Sequence, residues 1–354
     1  MKTSKRIVAL LLTFVMLFSM VGCGNKDTPP KEGNGGSQET GSKGGENVSN
    51  NLVVYVSHKE DVYGPIVKEF QERTGIQVDI VAAGTGEMLS RIETESTNPQ
   101  GDIMFGGGVE SLEAYKEYFE PYKTKEADSI DKAFLAADNT WTGFSALPLV
   151  IMYNKKLVSE ADVPKTWEGL LDEKFKGQIA YTDPNLSGSS FTTLVTMMYA
   201  HPEDDGWAFV RKFVDNLDGK LLNSSSAIFK GVADGEYSVG ITLEESAQRY
   251  VIAGAEVGFV YPEEGTSMVP DGVAIIKGAK NMENAKEFVD FVVGEDIQNM
   301  IVSDMSRRSI RSDVAPSEGL VDIDEIPAVD YDVAWVSKNK ADLMNKWKDV
   351  LVGK

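Results

Sequence analysis

The sequence has little of what enzymatic chemistry commonly uses. Among its 354 residues there is one cysteine, Cys23, and there are two histidines, His58 and His201. It has no Gly-x-Ser-x-Gly elbow, no His-Glu-x-x-His pair and no Walker loop, so nucleophile and base pairs are scarce. No repeat or heptad pattern is present either, which argues against a purely structural surface protein. We therefore predict no enzyme activity and no cofactor, and keep a secreted enzyme only as the last alternative.

Basic residues are also few. Lys and Arg number 35 against 55 Asp and Glu, which gives a formal net charge of −20. This acidity argues against nucleic acid or anionic lipid as a partner and favours solubility outside the cell. A small anion remains possible as a ligand, because backbone N–H groups and one or two Arg side chains act locally, within a Debye length of about 8–10 Å.

The start of the chain is typical of an export signal. Three basic residues in positions 1–6 precede an apolar run over residues 7–20, which predicts a signal peptide at 1–22 and not a membrane span of the mature protein. The only cysteine follows directly, so it has no partner for a disulfide. Residues 23–50 are polar and rich in Gly and Ser, and they predict a flexible tether.

The residues before this cysteine, Met20-Val21-Gly22-Cys23, resemble the lipobox of bacterial lipoproteins, although Met20 stands where that motif prefers Leu. The resemblance implies that Cys23 carries lipid. The mature protein would then be extracytoplasmic and anchored to the outer face of the cell membrane.

The folded part begins with strand-like runs that end in polar residues or glycine. Residues 52–58 end in Ser57 and His58, and a helical pattern closed by Gly75 follows. Residues 76–81 lead to a Gly-Thr-Gly turn, and residues 102–105 run into three glycines. In an open α/β sheet, ligands lie off the carboxyl ends of the strands. We therefore expect one rim formed by Ser57, His58, Gly84, Thr85, Gly107 and Gly108.

Two of these features have an alternative interpretation. The glycine run is either a flexible turn or a place where the backbone approaches a ligand. His58 is either a solvated strand end or a ligand contact.

A second group of polar candidate positions lies in the predicted second lobe, between residues 178 and 246. An apolar run at 178–181 precedes a serine cluster at the expected start of a helix, and a helix N-terminus carries bare N–H groups and about half a positive charge. The alternative is a plain serine N-cap. Similar polar starts occur at residues 223–226 and 242–246. The binding candidates here are Ser187, Gly188, Ser189, Ser190, Ser225, Thr242 and Glu244.

Some candidates carry charge. Glu244 and its neighbour Glu245 are each predicted either to bind an ammonium or hydroxyl group of a ligand or to be solvated. Arg307, next to Arg308 after an apolar helix, is predicted either to pair with phosphate or carboxylate or to form a basic patch on the acidic surface.

Three segments of the chain resemble the extracellular solute-binding proteins of ABC importers. These are Val-Val-Tyr-Val-Ser-His-Lys-Glu at 53–60, Phe-Gln-Glu-Arg-Thr-Gly-Ile-Gln-Val at 70–78 and Gly-Asp-Ile-Met-Phe at 101–105. The likeness is greatest to the branch that holds ferric-ion, thiamine, phosphonate and sugar-phosphate binders, and it extends over nearly all of the chain after the tether. These segments are specific for the fold and weak for the ligand.

The resemblance implies an α/β protein with a two-lobe, type II periplasmic-binding-protein fold and two crossing strands between the lobes. The first lobe is predicted at 51–149 and 271–354, and the second at 150–270. One crossing is expected in the apolar run at 145–154 and the other at 271–276.

The function implied is capture of a small anionic solute, such as a phosphonate or organophosphate, between the lobes and its delivery to the transmembrane subunits of an ABC permease. We expect a monomer. The alternative is a ferric-ion or thiamine binder. Ferric binders of this family carry a His at the tip of the first strand, a Glu after the third and paired Tyr in the second lobe. Only His58 matches, so no metal ligand is predicted except His58 if iron is bound.

Overall fold

The computed structural model describes residues 50–353, and the chain from residue 48 onward is one compact unit. The predicted signal peptide, Cys23 and nearly all of the predicted tether lie outside the described residues. Within the described range, none of the helices combines the length and the apolar character that a membrane span requires.

Residues 50–353 contain ten strands and ten α-helices. The strands are β1 Asn51–Val56, β2 Gln77–Ala82, β3 Ile103–Gly108, β4 Phe119–Glu120, β5 Thr142–Ser145, β6 Leu149–Asn154, β7 Ile179–Ala180, β8 Val239–Leu243, β9 Val257–Val260 and β10 Asp271–Ile276. The helices are α1 Glu60–Thr74, α2 Thr85–Thr94, α3 Val109–Ala114, α4 Gly188–Ala200, α5 Trp207–Leu217, α6 Ser225–Ala233, α7 Glu244–Ile252, α8 Met282–Val292, α9 Glu295–Met305 and α10 Val333–Leu351.

The first sheet has the order β2-β1-β3-β10-β4, and β5 also pairs with β10. The strand β1 runs parallel to β2 and β3, whereas β10 is antiparallel to its neighbours. Alternate side chains of β1 enter different cores, with Leu52 and Val54 on one face and Tyr55 on the other. Helices therefore cover both faces of this sheet, which makes its strands apolar throughout and easy to find in the sequence.

The second sheet has the order β7-β8-β6-β9. Neighbouring residues of β6 again divide between two cores. Ile151 packs with the apolar side chains of α4 and α5, and Val150 packs with those of α6 and α7. We call the part built on the first sheet the first lobe and the part built on the second sheet the second lobe.

The apolar run at 145–154, predicted as one crossing strand, is divided in two. Strand β5 ends at Ser145 in the first sheet, and β6 begins at Leu149 in the second. Pro148 lies between them, and it has no N–H group to donate to a strand ladder. The crossing is therefore a short irregular link between two strands. The return link covers residues 261–270, and the residues 271–276 predicted as the return crossing form β10 in the first sheet.

A third connection joins the lobes near the end of the chain. Arg311 forms a β-bridge with Ile130 in the first lobe. Farther along the chain, Ala328 forms a β-bridge with Thr266 in the return link. Helix α10 then buries Trp347 in the core of the second lobe, where the indole N–H donates to Asp183 at 3.2 Å. The predicted first-lobe range of 271–354 thus includes a helix that contacts α3 of the first lobe and buries its apolar stripe in the core of the second lobe.

Candidate functional site

The glycine run at the end of β3 is a tightly packed strand end. Gly106 has a φ of +104°, and a Cβ there would lie 2.8 Å from Ser57 Oγ. Gly107 has a φ of +85°, and a Cβ there would lie 2.5 Å from Thr85 Cγ2. The structure therefore brings Ser57, His58 and Thr85 together around these glycines. Gly84, at the N-cap of α2, is exposed beside them.

This packing predicts an unequal response to alanine at two left-handed glycines. Gly75, at the end of α1, has a φ of +74° and nothing within 4 Å of a Cβ. We expect Gly75→Ala to lower the free energy of unfolding by about 1–2 kcal/mol through the backbone alone. Gly107→Ala adds the clash with Thr85, which costs about 1–3 kcal/mol more. Urea unfolding of both variants measures the difference, and equal losses would show that the Thr85 contact does not matter.

A buried ionic network lies next to this rim. Arg307 Nη1 donates to Asp271 Oδ2 at 2.5 Å and to Ser145 Oγ at 2.7 Å. Its Nε lies 3.2 Å from a carboxylate oxygen of Glu245, at the start of α7 in the second lobe. His58 Nδ1 is 3.5 Å from Asp271 Oδ2. Arg307, predicted to pair with a ligand anion, is thus balanced by two carboxylates of the protein and joins the two lobes.

The network sets the charge of its members. Burial, assisted by Arg307, lowers the pKa of His58 to about 4, against the opposing effect of Asp271. Burial alone would favour the neutral form of Asp271, but Arg307 and His58 hold the pKa of that carboxyl below its usual value. At neutral pH the site therefore contains an uncharged imidazole and an ionised Asp271.

Arg308 forms a second network. Its Nε donates to both oxygens of Glu244, at 2.8 and 3.0 Å, and its Nη1 donates to the carbonyl of Val321 at 2.8 Å. The hydroxyl of Tyr261 also donates to Glu244. Glu244 was predicted to face a ligand or solvent. It is instead buried and fully paired with side chains at the links between the lobes.

The stretch before α4 forms the facing wall in the second lobe. Ser187 is the N-cap of α4, and its Oγ accepts from the backbone N–H of Ser190 at 3.2 Å. Ser187 therefore caps α4. Ser189 Oγ lies 3.1 Å from Ser187 Oγ, and Gly188 is exposed. The side chain of Ser190 is 1% exposed, and its Oγ has no hydrogen-bond partner.

The start of α6 lies beside this wall. Thr182 Oγ1 donates to the carbonyl of Ser224 at 2.8 Å, which places half-buried Ser225 near the start of α4. Neither α4 nor α6 has an acidic residue in its first turn. Their positive ends are therefore not offset by the helices' own side chains. Thr242 is buried on β8, opposite Val150 of β6.

The walls meet where α3 contacts α4. Thr192 Oγ1 donates to Glu110 Oε1 at 2.9 Å. We call the region between the lobes bounded by Ser57, His58, Glu110, Ser190 and Arg307 the interlobe cleft.

The residues that define this cleft each carry a buried polar atom without a hydrogen-bond partner. In residues 50–353 the buried side-chain atoms without a hydrogen-bond partner are Ser57 Oγ, His58 Nε2, Glu110 Oε2, Ser190 Oγ, Arg307 Nε and Tyr331 Oη. Buried polar groups nearly always find partners, and each unpaired one costs about 1–3 kcal/mol. Such a concentration where two lobes face each other is typical of a ligand site.

Sequence reasoning missed Glu110 and Asp271. Asp271 could have been recognised, because a carboxylate at the start of a wholly buried strand needs a cation or hydrogen-bond donor as its partner. Glu110 looks like an ordinary acidic residue in the first turn of a helix.

No group of three or more His, Cys, Asp or Glu side chains suited to a metal ion occurs in the described part of the chain. Of the ferric pattern, His58 bounds the cleft, and Glu110, which follows the third strand β3, bounds it as well.

Residues 102–318, more than half of the chain, match the model of the family described as bacterial extracellular solute-binding protein. The chain belongs to this family. Its members are solute-binding proteins that work with ABC permease components, which confirms the class predicted from the sequence. The type II periplasmic-binding-protein fold is also confirmed by solved structures of that fold.

Individual relatives of this solute-binding protein differ in what their names say they bind. The structure of the periplasmic binding protein AfuA from Actinobacillus pleuropneumoniae, with exogenous fructose-6-phosphate bound, is 27% identical with a TM-score of 0.77, and the match covers 86% of this chain and 99% of that one. A putative 2-aminoethylphosphonate-binding periplasmic protein from Salmonella typhimurium is 26% identical over 70% of this chain and 74% of its own. Iron uptake protein A1 from Synechocystis sp. is 26% identical over 70% of this chain and 72% of its own.

Proposed function

We propose that the protein captures a small solute with a phosphate or phosphonate head group in the interlobe cleft and delivers it to an ABC permease. The observation that carries this proposal is the start of α4. There a buried, unpaired Ser190 hydroxyl adjoins helix N–H groups that no acidic first-turn residue offsets. The relatives named for fructose-6-phosphate and 2-aminoethylphosphonate support the same head group.

Neutral donors provide most of the binding in this proposal. A helix N-terminus favours an anion by about 0.3–1 kcal/mol, and by up to about 2 kcal/mol when partly buried. A hydrogen bond to a charged group adds about 1.5–3 kcal/mol. Because Asp271 and Glu245 already balance Arg307, we assign the head group to Ser187, Ser189 and Ser190, with Ser57 and Arg307 Nε facing them.

Binding to both walls would favour the closed arrangement of the lobes. A solute shifts such an equilibrium only through contacts that it makes in one state. At the mouth of the cleft, Arg249 Nη2 lies 3.2 Å from Asp61 Oδ2, and Lys59 Nζ lies 5.9 Å from the centre of the Phe229 ring. The links at residues 146–148 and 261–270 are the proposed hinge. Attachment through lipid on Cys23 and a monomeric state belong to the same proposal.

Ferric ion is the second candidate. It is favoured by the buried Nε2 of His58, which lacks a partner, and by the relatives named for iron uptake. Calorimetry of the mature protein against 2-aminoethylphosphonate, hexose phosphates, thiamine and ferric citrate separates the candidates. We expect binding of the phosphorus compounds. Binding of ferric citrate alone, with a charge-transfer colour, would exclude the proposed head group.

Ser190→Ala tests the anion wall. We expect its affinity for the best phosphorus compound to fall about 10- to 150-fold, which corresponds to about 1.5–3 kcal/mol for a hydrogen bond to a charged group. Its stability without ligand should stay equal or rise, since the lost hydroxyl had no partner. Calorimetry and urea unfolding measure the two effects.

Ser303→Ala is the control, because Ser303 is exposed on α9. It should bind like the wild type. If Ser190→Ala also binds like the wild type, the start of α4 does not hold the head group.

A further inference from the structure

We infer that Glu110 determines specificity in the cleft by accepting a hydrogen bond from a hydroxyl or ammonium group that the solute carries near its anionic head group. This inference rests on the proposed function and narrows its substrate class. Simple alkyl phosphates and alkylphosphonates would then be poor ligands, and hydroxylated or amino-substituted ones good ligands.

The two oxygens of Glu110 are used differently. The residue is 3% exposed, and its Oε1 accepts from Thr192 Oγ1 at 2.9 Å. Its Oε2 is buried without a partner. That oxygen lies against the end of β3, where a Cβ on Gly108 would come within 2.5 Å of it. The free acceptor is therefore held at the strand end, on the rim where ligands lie in an open α/β sheet.

The protein does not satisfy this oxygen itself. The charge of Lys340 acts on Glu110, but the Lys340 Nζ atom makes its contacts elsewhere. It lies 4.8 Å from the centre of the Phe191 ring and 3.2 Å from Ser111 Oγ. Burial raises the pKa of Glu110. The Tyr331 hydroxyl is likewise buried without a hydrogen-bond partner. A donor carried by a bound solute would remove the cost of the unpaired oxygen.

The other acidic residues near the cleft are already engaged. Glu244 is held by Arg308, and Glu245 and Asp271 are held by Arg307. Glu110 also has the right place relative to the head group. It is hydrogen-bonded to Thr192, about one turn beyond the start of α4 to which the head group is assigned.

Matched solutes and variants of the full mature chain test the inference by calorimetry. The first pair is 2-aminoethylphosphonate and n-propylphosphonate, in which a methyl group replaces the ammonium. The second pair is fructose 6-phosphate and ethyl phosphate, which lacks the hydroxyls. We expect at least one donor-bearing compound to bind the wild type about 10-fold or more tighter than its partner, in line with a hydrogen bond to a charged group.

Glu110→Gln keeps the shape and replaces one oxygen with an amide donor. For an ammonium solute we expect the preference to disappear. For a hydroxylated solute it should only weaken, because a hydroxyl can also accept from the amide. The affinity for the donor-free compound should stay within about 2-fold of the wild type. Thr192→Val is the control, since it removes the contact between α3 and α4 but keeps the carboxylate, and it should retain the preference.

The outcomes separate the two proposals. If the wild type binds both members of each pair equally, or if Glu110→Gln weakens both members of a pair equally, the role of Glu110 is overturned and the phosphorus head group stands. If no phosphorus compound binds the wild type, the proposed function fails and this inference fails with it.

Discussion

Replacement of Arg307 by methionine is expected to lower the free energy of unfolding by about 3–5 kcal/mol, the usual cost of leaving buried charges without their partner. The variant keeps much of the side-chain volume but leaves the carboxylates of Asp271 and Glu245 without their cationic partner. Asp271 is the more severely affected, since its side chain is 5% exposed. Urea unfolding at neutral pH measures the loss. The same variant should also lose solute binding, because Arg307 connects the first-lobe rim to α7.

Arg73→Met is the matched control. Arg73 also pairs with two carboxylates, Glu69 at 2.7 Å and Asp296 at 2.9 Å, but all three groups are largely solvent-accessible. Exposed pairs of this kind contribute about 0–1 kcal/mol. Losses of similar size in the two variants would contradict the assignment of the Arg307 network as a buried structural element.

Acidification from pH 6.5 to pH 4 is expected to remove up to about 3 kcal/mol of stability through His58 alone, at about 1.36 kcal/mol per pH unit. The folded-state pKa of His58 is lowered from 6.5 to about 4. Between these values the unfolded chain binds the proton and the folded protein does not, so stability falls as the pH falls. Asp271 has a lowered pKa, and its contribution is lost only below this window.

Other groups act in the opposite direction. Burial raises the pKa of Glu110 and of Glu244, and their protonation favours the folded state in acid. The measurement is therefore the difference between the wild type and His58→Gln in urea unfolding at several pH values from 4 to 7. We expect the wild type to lose stability relative to the variant as the pH falls. Parallel curves would show that the His58 environment is not desolvated.

The glycine run at the end of β3 was located by the sequence, but its packing was not. The pattern of three apolar strands ending in polar or glycine residues located the first-lobe rim, because strand burial on two faces leaves a strong periodic signal. Whether Gly106 and Gly107 were a loose turn or a close approach depended on Ser57 and Thr85, which are distant in sequence. Only the fold places those side chains against the strand end.

Charged residues show the same limit. Arg307 and Glu244 were singled out as candidates, but the sequence does not show which charges meet across the lobes. The structure pairs them with Asp271 and Arg308, so both have protein partners. Glu110, which no local pattern distinguished from a solvated helix residue, has the unpaired oxygen.

The sequence by itself determined the family, the two-lobe α/β fold and the first-lobe rim, because apolar periodicity and glycine positions are local properties of the chain. Tertiary structure decided where α10 packs, which carboxylates neutralise which arginines, and which buried polar atoms remain free. These depend on contacts between segments up to a few hundred residues apart, such as Arg73 with Asp296 at a separation of 223. The free energy of a buried charge or an unpaired hydroxyl is set by those contacts and not by its neighbours along the chain.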